Sequence, residues 1–272
     1  MRTARASVAV FVALSLVLIA RATAASSSAA QQEDSPRVIV AIVALADNEN
    51  QGIVPVPAQL GNGDDPAGNL YWGARYGLKA FFSRSADWKL VGRPAPPDPA
   101  ILERCVFKHK TKNVYLVADA FAGRAIKDAI IRFLRIVSGA DPGTVSLPVG
   151  DKTLTLPSGS DADLAAYIGH DGLMDFSLDE LYIGRDTRCR EAIVFACYSQ
   201  SFFAAPLRNA RACPLLWTTG LMAPEAYTLK AALDGWILDE TAEQVRMRAA
   251  QAYADYQKIS LKSAKRLFIS GR

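Results

Sequence analysis

Two residues stand out for the chemistry they can do together. His170 closes the segment Leu-Ala-Ala-Tyr-Ile-Gly-His, and Cys197 closes Ala-Ile-Val-Phe-Ala-Cys. The chain has only two histidines and four cysteines, so such a pairing draws on a small stock. A free thiol has a pKa of about 8.5 and is mostly protonated at neutral pH. An imidazole beside it, with an ordinary pKa of about 6.5, can take that proton and pass it to a leaving group. Gly172 lets a backbone N–H approach a developing oxyanion, and the N–H of Cys197, at the entry to a following helix, is a second donor. The residues are therefore suited to nucleophilic attack on a carbonyl, with His170 as acid or base and Cys197 as nucleophile.

The rest of the inventory narrows the field. His109 lies among Lys108, Lys110 and Lys112 and reads as solvated surface. Two histidines exclude a three-histidine zinc site, and Cys105, Cys189, Cys197 and Cys213 show no Cys-x-x-Cys spacing, so no metal or other cofactor is expected. The four cysteines allow three complete pairings, among which sequence does not choose. Cys197 is thus either a reactive thiol, a buried core residue, or half of a disulfide with Cys189 or Cys213. Ser199 and Ser201 follow Cys197 but lie in no Gly-x-Ser-x-Gly elbow, which disfavours a serine hydrolase.

Each reactive residue needs a strand to carry it. Val38 to Ala46 is a continuous run of β-branched and small apolar residues, the pattern of a strand buried on both faces. Val114 to Ala118, Leu164 to Gly169, Ala192 to Ala196 and Pro214 to Thr218 read the same way. Asp65-Pro66 reads as a helix start, with Leu70, Ala74, Leu78, Phe81 and Phe82 on one face. Further helices are expected over Gly123 to Ser138, from Ala223-Pro224 through Ile237, and over Glu240 to Lys258. Alternation in Val145, Leu147, Val149, Leu154 and Leu156 around Gly150-Asp151 predicts a hairpin insertion over about 143–158.

Strands alternating with helices predict an α/β fold, a mostly parallel sheet with helices on both faces. Ligands bind such sheets beyond the carboxyl ends of the strands. That rule selects the loops that begin at Asp47, His170 and Cys197. Asp47, Asn48 and Asn50 are candidate substrate-binding residues there, although Asn and Asp also build turns. Asp171 and Asp175 can orient His170 or simply turn the loop. Trp217, Thr218 and Thr219 end the last core strand and are candidates for a substrate-binding wall, with packing as the plainer role. Tyr71, Trp72 and Tyr76 read as core and groove wall.

The amino terminus carries an address. Met-Arg-Thr-Ala-Arg precedes an apolar run of about 13 residues and an Ala-x-Ala cleavage pattern ending at Ala24. Residues 1–24 are therefore expected to be a signal peptide, 25–36 a flexible tail and 37–272 a single α/β domain, exported to the periplasm or secreted. The run is shorter than the roughly 20 residues of a membrane span, so no stable span is expected after cleavage. Net charge is +4, of which Arg2, Arg5 and Arg21 supply three, leaving the remainder near +1. No basic stripe with interleaved aromatics occurs, which excludes nucleic acid as an evident partner.

An apolar strand ending in a His-Gly block, followed by one ending in Ala-Cys, resembles the caspase–legumain–gingipain cysteine peptidases. Tyr167 to Gly172 and Val194 to Ser199 are the matching blocks, and the order His before Cys also matches. The resemblance implies a caspase-like three-layer sandwich and a peptide or protein substrate. It implies a Cys197/His170 dyad, with the Gly172 and Cys197 backbones as oxyanion hole. This chain departs from the pattern in two ways: Asp171 separates the histidine from Gly172, and the spacing of 27 residues from His170 to Cys197 is short. Both departures admit the alternative of a catalytically inactive caspase-like domain that binds a protein or peptide in the cell envelope.

Overall fold

A computed structural model describes residues 35–271. The expected signal peptide, and all but the end of the expected tail, lie outside the described residues. From Arg37 onward the chain is one compact unit.

Ten strands and six α-helices form this unit. The strands are β1 (Arg37–Ala44), β2 (Trp88–Gly92), β3 (Ile101–His109), β4 (Val114–Phe121), β5 (Thr144–Val149), β6 (Lys152–Pro157), β7 (Leu164–Ile168), β8 (Glu191–Phe195), β9 (Cys213–Thr218) and β10 (Phe268–Ile269). The helices are α1 (Leu78–Ser83), α2 (Ile126–Val137), α3 (Ser199–Asn209), α4 (Ala226–Ile237), α5 (Ala242–Gln257) and α6 (Leu261–Leu267). Eight strands make one sheet in the order β10-β9-β8-β7-β1-β4-β3-β2, while β5 and β6 pair as a separate hairpin. The five strands β9, β8, β7, β1 and β4 run parallel, and β10, β3 and β2 are antiparallel additions at the two edges. The protein is thus α/β with a mostly parallel sheet.

β1 is central because nothing along it needs water. Val38 to Ala44 are fully buried, alternate residues entering cores on opposite sides of the sheet. Each large aliphatic side chain so buried contributes about 1.5–3 kcal/mol. Ile39, Ala41 and Val43 pack with α1, α4 and α5, and Val38, Val40 and Ile42 pack with α2 and α3. β1 lies between β4 and β7. After β1 the chain crosses one face by way of α1, and after β4 it returns over the other by way of α2. The strand order therefore reverses between β1 and β7, where such sheets open a crevice at their carboxyl end.

Two expectations are corrected. Residues 65–77 do not form a helix; they fold as successive turns. Asp65 caps a turn by accepting the Ala67 and Gly68 N–H groups. Asn69, fully buried, pairs with both backbone groups of Ala46. Gly77 lies so close to the Trp72 backbone that a Cβ would stand 2.5 Å from it. The second correction is β3, absent from the expected order because Glu103, Arg104 and Lys108 interrupt its apolar pattern. Ion pairs neutralise the two charges that are not exposed: Glu103 pairs with Lys79, and Arg104 with Asp119. Arg104 donates two hydrogen bonds to Asp119 of β4, at 2.6 and 2.7 Å, and Arg132 of α2 lies 3.4 Å from the same carboxylate.

Asp119→Ala strands a buried guanidinium and is expected to cost about 3–5 kcal/mol, read from the urea midpoint. Replacing Arg104 and Asp119 together by Met and Leu is expected to recover most of that loss.

Candidate active site

β7 and β8 pair in parallel register from Leu164↔Glu191 to Ile168↔Phe195. His170 and Cys197 each follow their last paired residue by two positions. Ile168 and Phe195 themselves enter the same core, the one beneath α4 and α5. The ladder continues one step, Gly169 N donating to Phe195 O at 3.3 Å. Parallel strands lie about 4.8 Å apart, so the register delivers the imidazole-bearing and thiol-bearing residues to neighbouring positions. Gly169 makes the exit possible: its φ is +147°, and a Cβ there would come 2.8 Å from Ala44 O.

His170 is held from several directions. It is 7% exposed, and its Nε2 meets Asp175 Oδ2 at 2.6 Å. Its carbonyl accepts the Tyr167 hydroxyl at 2.7 Å and the Gly172 N–H at 3.1 Å. Asp175 is part exposed and also accepts the Gly52 N–H at 3.2 Å, which ties the His170 loop to the loop after β1. A carboxylate on Nε2 fixes the ring and leaves Nδ1 for proton exchange. A short turn, Gly172–Met174, lies between the two side chains. Asp175 caps the end of that turn and is the partner of His170 as well.

Cys197 is a free thiol. The disulfide joins Cys189 to Cys213, their Cα atoms 5.4 Å apart, while Cys105 is free and buried. The Cys197 sulfur sits on the backbone of Met222, accepting its N–H at 3.5 Å and reaching its carbonyl at 3.6 Å. Burial pushes the thiol pKa up, the Met222 N–H draws it down, and Asp171 raises it further, with a net upward result. The thiol therefore needs a base to react at neutral pH. Tyr198 follows at φ 49°, a left-handed conformation uncommon for a large residue, and turns β8 sharply into α3.

Ser199 is fully buried, donating to Val194 O at 2.8 Å and accepting the Thr218 N–H at 2.9 Å. It braces the turn and offers no nucleophile. Thr218, fully buried, is used up in the same network with Ser199 and Ala196. Trp217 packs in the core beneath α2 and α3, away from the face that Cys197 contacts. Thr219 donates to the backbone of Arg266 at 2.7 Å. Asp47 is buried and accepts the N–H groups of Glu49 and Asn50 together with the Asn50 side chain. Asn48 binds both backbone groups of Val56. Asp47, Asn48, Thr218 and Thr219 build the loop walls and spend their side-chain hydrogen bonds there, while the buried indole N–H of Trp217 has no partner among the described residues. The Gly172 N–H is engaged by His170 O, whereas the Cys197 N–H has no hydrogen-bond partner among the described residues.

Asp171 is fully buried. Its Oδ1 accepts the Leu173 N–H at 3.1 Å, and its Oδ2 has no partner among the described residues. Burial, with a smaller push from Asp175, raises its pKa to about 7. A cavity of about 810 Å³ lies between α2 and the 179–185 loop, and neither reactive residue lines it. A smaller apolar groove of about 250 Å³ runs between Leu173 and Phe176 on one side and Phe202 and Pro206 on the other. Among the described residues no group of three or more His, Cys, Asp or Glu side chains is arranged to hold a metal ion. No helix among them is long and apolar enough to cross a membrane. Compared with known proteins, the chain matches no family model, no curated protein and no solved structure.

Non-reducing peptide mapping is expected to return Cys189 linked to Cys213, with Cys105 and Cys197 as free thiols. Removing the bridge by Cys189→Ala and Cys213→Ala is expected to cost about 2–4 kcal/mol in chemical denaturation. A bridge that includes Cys197 contradicts the arrangement.

Proposed function

We propose that this chain is an exported cysteine-dependent hydrolase, a caspase-like peptidase acting on peptide or protein substrates, with Cys197 as nucleophile and His170 as acid and base. The observation that carries the reading is the equal register of His170 and Cys197 beyond neighbouring parallel strands. Further support comes from the order of the parallel strands: along the chain they are β1, β4, β7, β8 and β9, and the reactive residues follow the third and the fourth. Helices on both faces of this sheet suit the three-layer sandwich that the sequence resemblance implies. The disulfide suits an oxidising compartment and hence export.

In this reading His170, oriented by Asp175, removes the proton from the Cys197 sulfur. The thiolate adds to the carbonyl carbon of the scissile amide. The Cys197 N–H donates to the resulting oxyanion. Collapse breaks the C–N bond, and the imidazolium gives its proton to the departing amine. Water, deprotonated by His170, then cleaves the thioester and releases the acid. The Met222 backbone is what the sulfur exchanges for substrate.

A second reading is a catalytically silent domain of the same kind that binds a peptide or protein in the cell envelope. Two observations favour it: the Gly172 N–H is already engaged, and the raised thiol pKa keeps Cys197 protonated.

An acyloxymethyl ketone peptide probe is expected to label the protein, with labelling lost in Cys197→Ser. On a panel of quenched peptides, His170→Ala is expected to lower kcat/KM by about 10²–10⁴-fold, and Asp175→Asn by less. Equal labelling of wild type and Cys197→Ser contradicts the proposal. Absent turnover, with partner binding unchanged in His170→Ala, selects the second reading.

A further inference from the structure

The Cys197 sulfur is covered by the chain's own backbone. Residues 219–225 run from the end of β9 to the start of α4 without helix or strand. Their near end is fixed: the Thr219 N–H donates to Leu267 O at 2.9 Å, and Gly220 O accepts the Tyr198 N–H at 2.9 Å. The far end is fixed where the Ala226 N–H donates to Tyr76 O at 2.8 Å. Between these ends, from Leu221 to Pro224, the backbone is hydrogen-bonded to the rest of the described residues at two places. Met222 lies on the sulfur, its N at 3.5 Å and its O at 3.6 Å. The Ala223 N–H donates to the Tyr253 hydroxyl of α5 at 3.0 Å. Sulfur is a weak donor and a weak acceptor, so Tyr253 is the firmer of these two fastenings. The Met222 side chain is a third, buried in the core beneath α4 and α5, whereas Leu221 beside it is 68% exposed.

We propose that residues 219–225 are an autoinhibitory strap, closed on Cys197 in the resting protein and released from Tyr253 before the thiol can attack. The inference rests on reading Cys197 as the reactive thiol, but it does not require turnover. A carbonyl under attack must come within about 3–3.5 Å of the nucleophile. The Met222 backbone already stands at that range from the sulfur. Two fixed ends and a lightly fastened middle let a few residues swing away while the sheet stays intact, and such local openings cost far less than unfolding. Tyr253 is a positioning residue in this arrangement: it reaches the thiol only through Ala223 and Met222. Its ring packs edge-on against Phe268, the centroids 5.2 Å apart, and that contact does not involve the hydroxyl. Losing the hydroxyl therefore unfastens the strap and leaves the core filled.

The test is the rate at which iodoacetamide alkylates each free thiol of the native protein, read by mass spectrometry in wild type, Tyr253→Phe and Met222→Ala. The Cys197 rate is expected to rise about fivefold in Tyr253→Phe, the size of one lost hydrogen bond. In Met222→Ala, which empties a buried site, it is expected to rise by about tenfold or more. Cys105, fully buried on β3, reports general loosening and is expected to stay slow in all three proteins. Equal Cys197 rates in wild type and variants overturn the proposal, as does a Cys105 rate that rises in step. Amide hydrogen exchange of the wild type decides the matter if neither variant folds. The Met222 and Ala223 amides are expected to be protected, yet to exchange together and faster than those of Ile193 and Val194 in β8. Exchange as slow as β8, or no protection at all, overturns the strap. Failure of the hydrolase reading shows separately, as absent peptide turnover in every protein with these labelling differences intact.

Discussion

The pairing of β7 with β8 is the constraint on which the candidate site depends. In a strand, successive side chains point to opposite faces, so slipping this pair by one residue would send the sulfur and the ring to different sides of the sheet. The register is secured along its whole length. All of β7 and nearly all of β8 are buried, which makes the apolar pattern unforgiving. At the amino end of β8, the disulfide from Cys189 to Cys213 ties the approach of β8 to the start of β9. At the carboxyl end, Ser199 and Thr218 bind each other and close the turn that follows Cys197. Gly169, pressed against Ala44, sets how closely His170 can leave the sheet beside β1.

Around this frame, polar residues build walls. Asn69 and Asp47 use their side chains to replace backbone pairing where β1 ends, and an unpaired buried amide or carboxylate there would cost about 1–3 kcal/mol. Asp175 reaches from the His170 loop to Gly52, so the two loops that flank the strand-order reversal are joined at the imidazole itself.

Much of this architecture is legible in residue order, and the failures have physical causes. The five parallel strands are read from their apolar runs because both faces are buried, Asp119 of β4 lying just past the run from which that strand is read. The hairpin is read from alternation around Gly150-Asp151. β3 escapes the same reading because Arg104 is charged, and its bidentate pairing with Asp119 appears only once the strands are adjacent. The stretch from Asp65 to Gly77 carries helical spacing, but Asn69 and the glycines commit it to turns that pack against β1 and Trp72. His170 and Cys197 are legible as strand-ending residues of reactive type. Asp175 is harder, since an aspartate in a loop is an ordinary turn residue and its partner is known only from the fold. The choice among cysteine pairings likewise rests on distance in space.

The central claim is that the imidazole and the thiol share one cleft. With only two histidines in the chain, nitrogen NMR can follow His170 alone once His109 is assigned. The account predicts that capping the Cys197 sulfur with a neutral alkyl group displaces the midpoint of the His170 ring titration and leaves His109 unmoved. A His170 curve that superimposes before and after capping would contradict it.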